Sequence, residues 1–110
     1  MDDKTFSQEL NRGARLLGQG RAQQWTNLGA AYLGNPVLAT AEQQDKAIAA
    51  FERALECDPV APHVAYNLGL IYRDRNDRDR AIHWFTRALQ ADPLDRDARR
   101  ILEKLKVEHL

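Results

Sequence analysis

Apolar positions along this chain recur at intervals of three and four residues, the spacing that puts side chains on one face of an α-helix. Phe6, Leu10, Ala14 and Leu17 form one such series, and Trp25, Leu28 and Tyr32 form the next. Ala47, Phe51 and Ala54 make a third, and Ala98, Ile101, Leu102 and Leu105 mark the last. The pattern predicts an all-α chain. Thr40 followed by Gln43 is a capping box, so one helix is expected to start near Ala41 and run to about Cys57. Pro59 and Pro93 are stops, because proline lacks an amide donor and clashes with the preceding turn. Gly18 and Gly20 are expected to end the leading helix, and Asp95 or Asp97 to open the last.

Comparing the chain with itself finds a repeat. Ala47, Ile48, Phe51, Arg53, Ala54, Leu55, Asp58 and Pro59 recur as Ala81, Ile82, Phe85, Arg87, Ala88, Leu89, Asp92 and Pro93, each 34 residues later. Asn27, Leu28, Gly29 and Tyr32 recur as Asn67, Leu68, Gly69 and Tyr72, but 40 residues later, so the first copy carries a six-residue insertion. Gly29 and Gly69 lie inside helical patterns, where glycine costs about 1 kcal/mol against alanine. A glycine at the same place in both copies predicts two helices in close approach, with no room for a Cβ. Ala47, Ala54, Ala81 and Ala88 are expected to supply matching small surfaces, and Phe51 and Phe85 to fill the wider gaps.

Trp25-x2-Leu28-Gly29-x2-Tyr32, with Ala47-x3-Phe51-x2-Ala54 and Pro59, resembles the tetratricopeptide repeat signature. Ala65-x2-Leu68-Gly69-x2-Tyr72, with Ala81-x3-Phe85-x2-Ala88 and Pro93, resembles it again at the family's length, with Ala65 where tryptophan is frequent. The resemblance covers roughly residues 22–95 and implies antiparallel helix pairs stacked into a right-handed superhelical α-solenoid of about six helices. One domain over residues 1–110 is expected, divided into a leading helix at 1–20, a first repeat at 22–61, a second at 62–95 and a capping helix at 96–110. The leading helix is expected to cover the open side of the first repeat; the alternative is that it pairs with a second copy of the chain.

The enlarged turn of the first repeat is Gly34-Asn35-Pro36-Val37-Leu38-Ala39, and extra turns of helix after Thr40 should absorb part of the insertion. Val37 and Leu38 are expected to tuck against the lengthened helix, the alternative being a contact point for a partner. In the second repeat Asn76 suits a left-handed helix cap. The last helix carries Arg96, Arg99, Arg100, Lys104 and Lys106 on its outer face, interspersed with Asp95, Asp97, Glu103 and Glu108, as a solvated cap face would.

Charge and chemistry narrow the function. Sixteen basic and sixteen acidic residues cancel, six of each in residues 1–55 and ten of each in 56–110, so no phosphate-binding field is expected and no nucleic-acid partner. Apolar runs such as Ala47–Phe51 fall far short of the roughly 20 residues of a membrane span. Asp2 and Asp3 follow Met1 in a polar segment unlike a secretory leader, so the expectation is a soluble cytoplasmic protein without a membrane partner. His63, His83, His109 and the single Cys57 show no ligand spacing, and no glycine-rich phosphate loop is present. No catalytic residue, cofactor or metal is expected, and the chain is not read as an enzyme.

The resemblance implies instead a concave face that holds a peptide or a segment of a partner protein. The residues implied for that groove are Gln23, Thr26, Asn27, Ala30 and Leu33 from the first repeat, and His63, Tyr66, Asn67, Leu70, Arg73 and Asp74 from the second. An amide such as Asn27 or Asn67 can bridge a donor and an acceptor of a peptide backbone. Capture of a chaperone's C-terminal carboxylate, known in the family, is not supported: Thr26, Ala30, His63, Asp97 and Ile101 stand where basic or amide groups are wanted. A peptide-binding adaptor is thus the first expectation. The alternative is a self-associating scaffold whose array ends stack into homo-oligomers.

Overall fold

The computed structural model describes residues 3–35 and 38–108, with side chains from Leu17 onward. Five helices follow one another among them: α1 (Asp3–Leu33), α2 (Ala41–Cys57), α3 (Val64–Asp74), α4 (Arg78–Ala91) and α5 (Arg96–Val107). The array is all-α, and α1 packs on α2, α3 on α4, and α4 on α5. The chain is elongated, 60 × 30 × 18 Å along its principal axes.

Each pair is held by a phenyl ring over a glycine. A Cβ on Gly29 would lie 2.6 Å from Phe51 Cε1, and one on Gly69 would lie 2.8 Å from Phe85 Cζ. Both rings are fully buried. The close approach expected at the two glycines is present, but the phenylalanines, and not the alanines, occupy the space of the missing side chain. Around Phe51 lies a core of Ala47, Ala54, Val64, Leu68 and Ile71; around Phe85 lies one of Ala65, Ala81, Ala98, Leu102 and Leu105. Tyr72 and Trp84 pack against both and tie the repeats together.

Helix ends follow local chemistry. Thr40 and Gln43 close a reciprocal capping box, the Gln43 amide donating to Thr40 Oγ1 at 3.1 Å and the Thr40 amide to Gln43 Oε1 at 2.8 Å. Asp77 and Asp95 cap α4 and α5 by accepting from the amides of Arg80 and Ala98. Asn76 turns the chain left-handed at φ 61°, as does Gly34 at φ 56°. α2 has 17 residues and α4 has 14, and the three additional residues, at the start of α2, take up half of the insertion. That extra turn is anchored across the array. Buried Gln44 donates to Asp74 Oδ2 and accepts from Arg75 Nε, both at 2.8 Å, while Arg75 also reaches Asp45 and the Ala41 carbonyl. Asp74 and Asp77 therefore hold structure.

Three further expectations change. The leading segment and the first helix of the first repeat are one continuous 31-residue helix, which is why five helices stand where about six were expected. Gly18 does not end it. A Cβ there would lie 2.8 Å from the Cys57 carbonyl oxygen, so the glycine lets α1 touch the end of α2. Leu38 is 77% exposed and does not tuck against α2, whereas Leu33, expected on the groove face, is buried in the core around Phe51. Val37, the packing of Phe6, Leu10 and Ala14, and His109 lie outside the described residues and side chains.

Candidate functional site

The groove positions sit on α1 and α3, the first helix of each pair. Between these helices the loop Asp58–His63 crosses from one repeat to the next. Asp58 begins it by accepting a hydrogen bond from the Val60 amide at 3.2 Å, and His63 ends it at φ 68°, left-handed and without a side-chain cap bond. Two hollows flank the loop. One, of about 310 Å³, is lined by Gln19, Ala22, Gln23, Thr26, Asp58, Ala61 and Pro62. The other, of about 320 Å³, is lined by Val60–Ala65, Tyr66, Ala88, Ala91, Asp92 and Asp95, with Val64 excepted. Ala61 and Pro62 line both, so the two hollows of this trough are neighbours at the repeat junction.

Of the residues implied by the sequence, Gln23, Thr26, His63 and Tyr66 line this trough. Asn27, Ala30, Asn67, Leu70 and Arg73 share α1 and α3 with them but do not line either hollow. Thr26 is 8% exposed and its hydroxyl donates to the Ala22 carbonyl at 2.7 Å, so it is a wall and not a free donor. Asn27 is exposed, with its carbonyl oxygen accepting from Gln23 Nε2 at 2.8 Å and its own amide donors left over. Ala30, His63 and Arg73 are exposed; Asn67 and Leu70 are half-buried.

Tyr66 is the most constrained of the set. Its ring meets Phe85 edge to face at a centroid distance of 5.6 Å, which ties the trough wall to the second core. Burial pushes its hydroxyl above the ordinary value of 10.0; Asp97 and Asp95 push the same way, and Arg73 and Arg100 partly offset them. The proton therefore stays on, and Tyr66 presents a neutral donor. Asp58, Asp92 and Asp95 are the charged side chains of the lining, and no lysine or arginine is among it. Each of the three uses one oxygen to accept from a backbone amide of its own turn and leaves the other to the solvent side. The trough is thus apolar on its floor and acidic on its rim.

Sequence spacing did not reveal the contributions of Gln19, Ala22, Val60, Ala61, Ala91 and Asp92. The loop's left-handed exit at His63 brings them together, and nothing in the residue types announces that turn. Among the described residues no cluster of His, Cys, Asp or Glu is arranged to hold a metal ion, and no helix is long and apolar enough to cross a membrane.

Stacked antiparallel helix pairs, each locked by the same phenyl-on-glycine contact, define a helical repeat protein. The tetratricopeptide repeat pattern matches residues 36–96, more than half of the chain, and the chain belongs to that family. Its repeats generally serve as non-catalytic modules that bind protein partners. No curated protein sequence matches the chain. The family match begins after α1; that helix is assigned as the first of the pair by Trp25-x2-Leu28-Gly29-x2-Tyr32 and by a Gly29–Phe51 contact equivalent to Gly69–Phe85.

Proposed function

We propose that the chain is an adaptor that holds an extended segment of a partner protein along α1 and α3, across the trough at the repeat junction. The observation that carries this reading is that Ala61 and Pro62 line both hollows, one bounded by α1 of the first repeat and the other by α3 and α4 of the second. Apolar floor contacts with Ala65, Ala88 and Ala91 would anchor one side chain, Tyr66 and Asn67 would hydrogen-bond the peptide backbone, and the carboxylates of Asp92 and Asp95 would favour a neutral to basic segment over an acidic one. This is recognition without chemistry, in the cytoplasm.

The test is capture of partners from the native cell by the full chain, compared with Tyr66→Ala combined with Asn67→Ala. The variant should keep its helical circular dichroism and lose the partner. Retention of the same partner at unchanged affinity by a folded variant would remove the trough from the mechanism.

A further inference from the structure

The second repeat buries its signature face: Ala65 is 9% exposed, in the core around Phe85, and Leu68 is fully covered, in the core around Phe51. The same face of the first repeat is open. Trp25, Leu28 and Tyr32 are 36%, 39% and 39% exposed, and with Lys46, Ala49, Ala50 and Arg53 of α2 they line a shallow apolar hollow of about 250 Å³. Leu17, 66% exposed, extends it upstream. No helix of this chain can close it in place, because α1 runs straight through Gly18, where it meets the last residue of α2, and on past the end of its partner.

Residues 3–17 of α1 therefore form an overhang of about 22 Å at 1.5 Å per residue, and the stretch from Leu17 to Tyr32 has the same length. A helix of that length without a packing partner is marginal in water. The sequence of α1 has a matching property. Inverting the helix about residue 19 brings position 6 onto 32, 10 onto 28 and 14 close to 25, so Phe6 superposes on Tyr32, Leu10 on Leu28 and Ala14 nearly on Trp25. An apolar series that repeats itself on reversal is what a two-fold antiparallel helix contact requires.

The charges fit a like partner. From Leu17 to Leu33 the only charged residue is Arg21, in a chain with 29% charged residues. At the rim Lys46 lies 3.6 Å from Glu42 and Arg53 lies 3.6 Å from Glu56, so the rim has no net field, and Arg21, four residues from both Leu17 and Trp25, leaves one positive charge on the face of each copy. The far end of the array cannot serve as the cover. α5 turns Ala98, Leu102 and Leu105 inward and keeps Arg96, Arg99, Arg100, Glu103, Lys104 and Lys106 exposed. Head-to-tail stacking would bury those charges.

We infer that two copies of the chain associate through α1 in an antiparallel, two-fold arrangement, the overhang of each lying along the Trp25–Tyr32 face of the other. The helix expected to cover the first repeat does so in trans. Such a contact, about 39 Å long and about 10 Å wide with the α2 rim added, covers about 780 Å² in total, below the roughly 1,000 Å² of stable specific interfaces, so the dimer is a weak, concentration-dependent one that closes at two.

The experiment is sedimentation equilibrium of the full chain from about 1 to 500 µM, with the emission of Trp25 read in a Trp84→Phe background. The expected result is a monomer–dimer equilibrium with a blue shift of Trp25 as dimer forms. Leu28→Glu and, separately, Leu10→Glu should each weaken the dimer at least tenfold while circular dichroism stays helical, and Tyr66→Ala with Asn67→Ala should leave it intact, which separates this contact from the trough. A chain that stays monomeric at 500 µM overturns the inference, as does growth beyond dimer or a dimer indifferent to Leu28→Glu. A dimer lost with Leu28→Glu but untouched by Leu10→Glu overturns the antiparallel register.

Discussion

Gly69 and Gly20 are both interior helical glycines, and alanine should have opposite effects at the two positions. On intrinsic propensity each substitution gains up to about 1 kcal/mol. At Gly20 no atom lies within 4 Å of the added methyl, so the gain stands alone and Gly20→Ala should stabilise the chain by about 0.5 to 1 kcal/mol. At Gly69 the methyl would meet Phe85 Cζ at 2.8 Å and Cε1 and Cε2 at 2.9 Å. Phe85 is fully buried and held edge to face by Tyr66, so the ring has nowhere to retreat. Overpacking of this kind costs about 1 to 3 kcal/mol. Three contacts so short favour the upper part of that range, leaving Gly69→Ala destabilised by about 1 to 2 kcal/mol after the propensity gain. For a domain of this size that is a fall in Tm of about 5 to 10 °C, against a rise of a few degrees for Gly20→Ala. Urea and thermal unfolding followed by circular dichroism measure both. A double-mutant cycle supplies the mechanism: Phe85→Leu should cost less in the Gly69→Ala background than in the parent. If Gly69→Ala stabilises the chain as Gly20→Ala does, or the cycle shows no coupling, the phenyl-on-glycine lock is refuted as the device that joins each helix pair.

Three other outcomes test the account. Gln44→Ala, which removes two buried-side hydrogen bonds between α2 and the end of α3, should cost about 1 to 2 kcal/mol in urea unfolding, whereas Asp45→Ala, which breaks only an exposed ion pair to Arg75, should cost under about 1 kcal/mol. Asn76→Ala should lose about 1 kcal/mol because alanine resists φ 61°, and Asn76→Gly should be close to neutral; equal effects would remove backbone strain as the reason for asparagine there. Tyr66 binds its proton more tightly folded than unfolded, so above pH 10 the unfolded chain loses that proton first and stability falls as pH rises through the raised folded value; Tyr66→Phe should flatten this part of the profile above pH 10, as urea unfolding at a series of pH values would show.

The residues of this chain specify its helices almost wholly by local means. The capping box at Thr40, the aspartate cap at Asp95, the left-handed turn at Asn76 and the stops before Pro59 and Pro93 are each decided within a few positions, so they are legible from residue types alone. The 34-residue period is equally legible, since it records that a stack buries the same positions in every layer. Tertiary contact decided the rest. Gly18 looks like a helix end in sequence, but the carbonyl of Cys57, 39 residues away, makes it a point of close packing inside a longer helix. Thr26 and Leu33 share a helix with the groove, and only the position of α2 and the connecting loop makes them interior. Leu28 and Leu68 hold the same place in the signature, yet Leu28 is 39% exposed and Leu68 is fully covered, because burial depends on which helix lies in front and not on the residue itself.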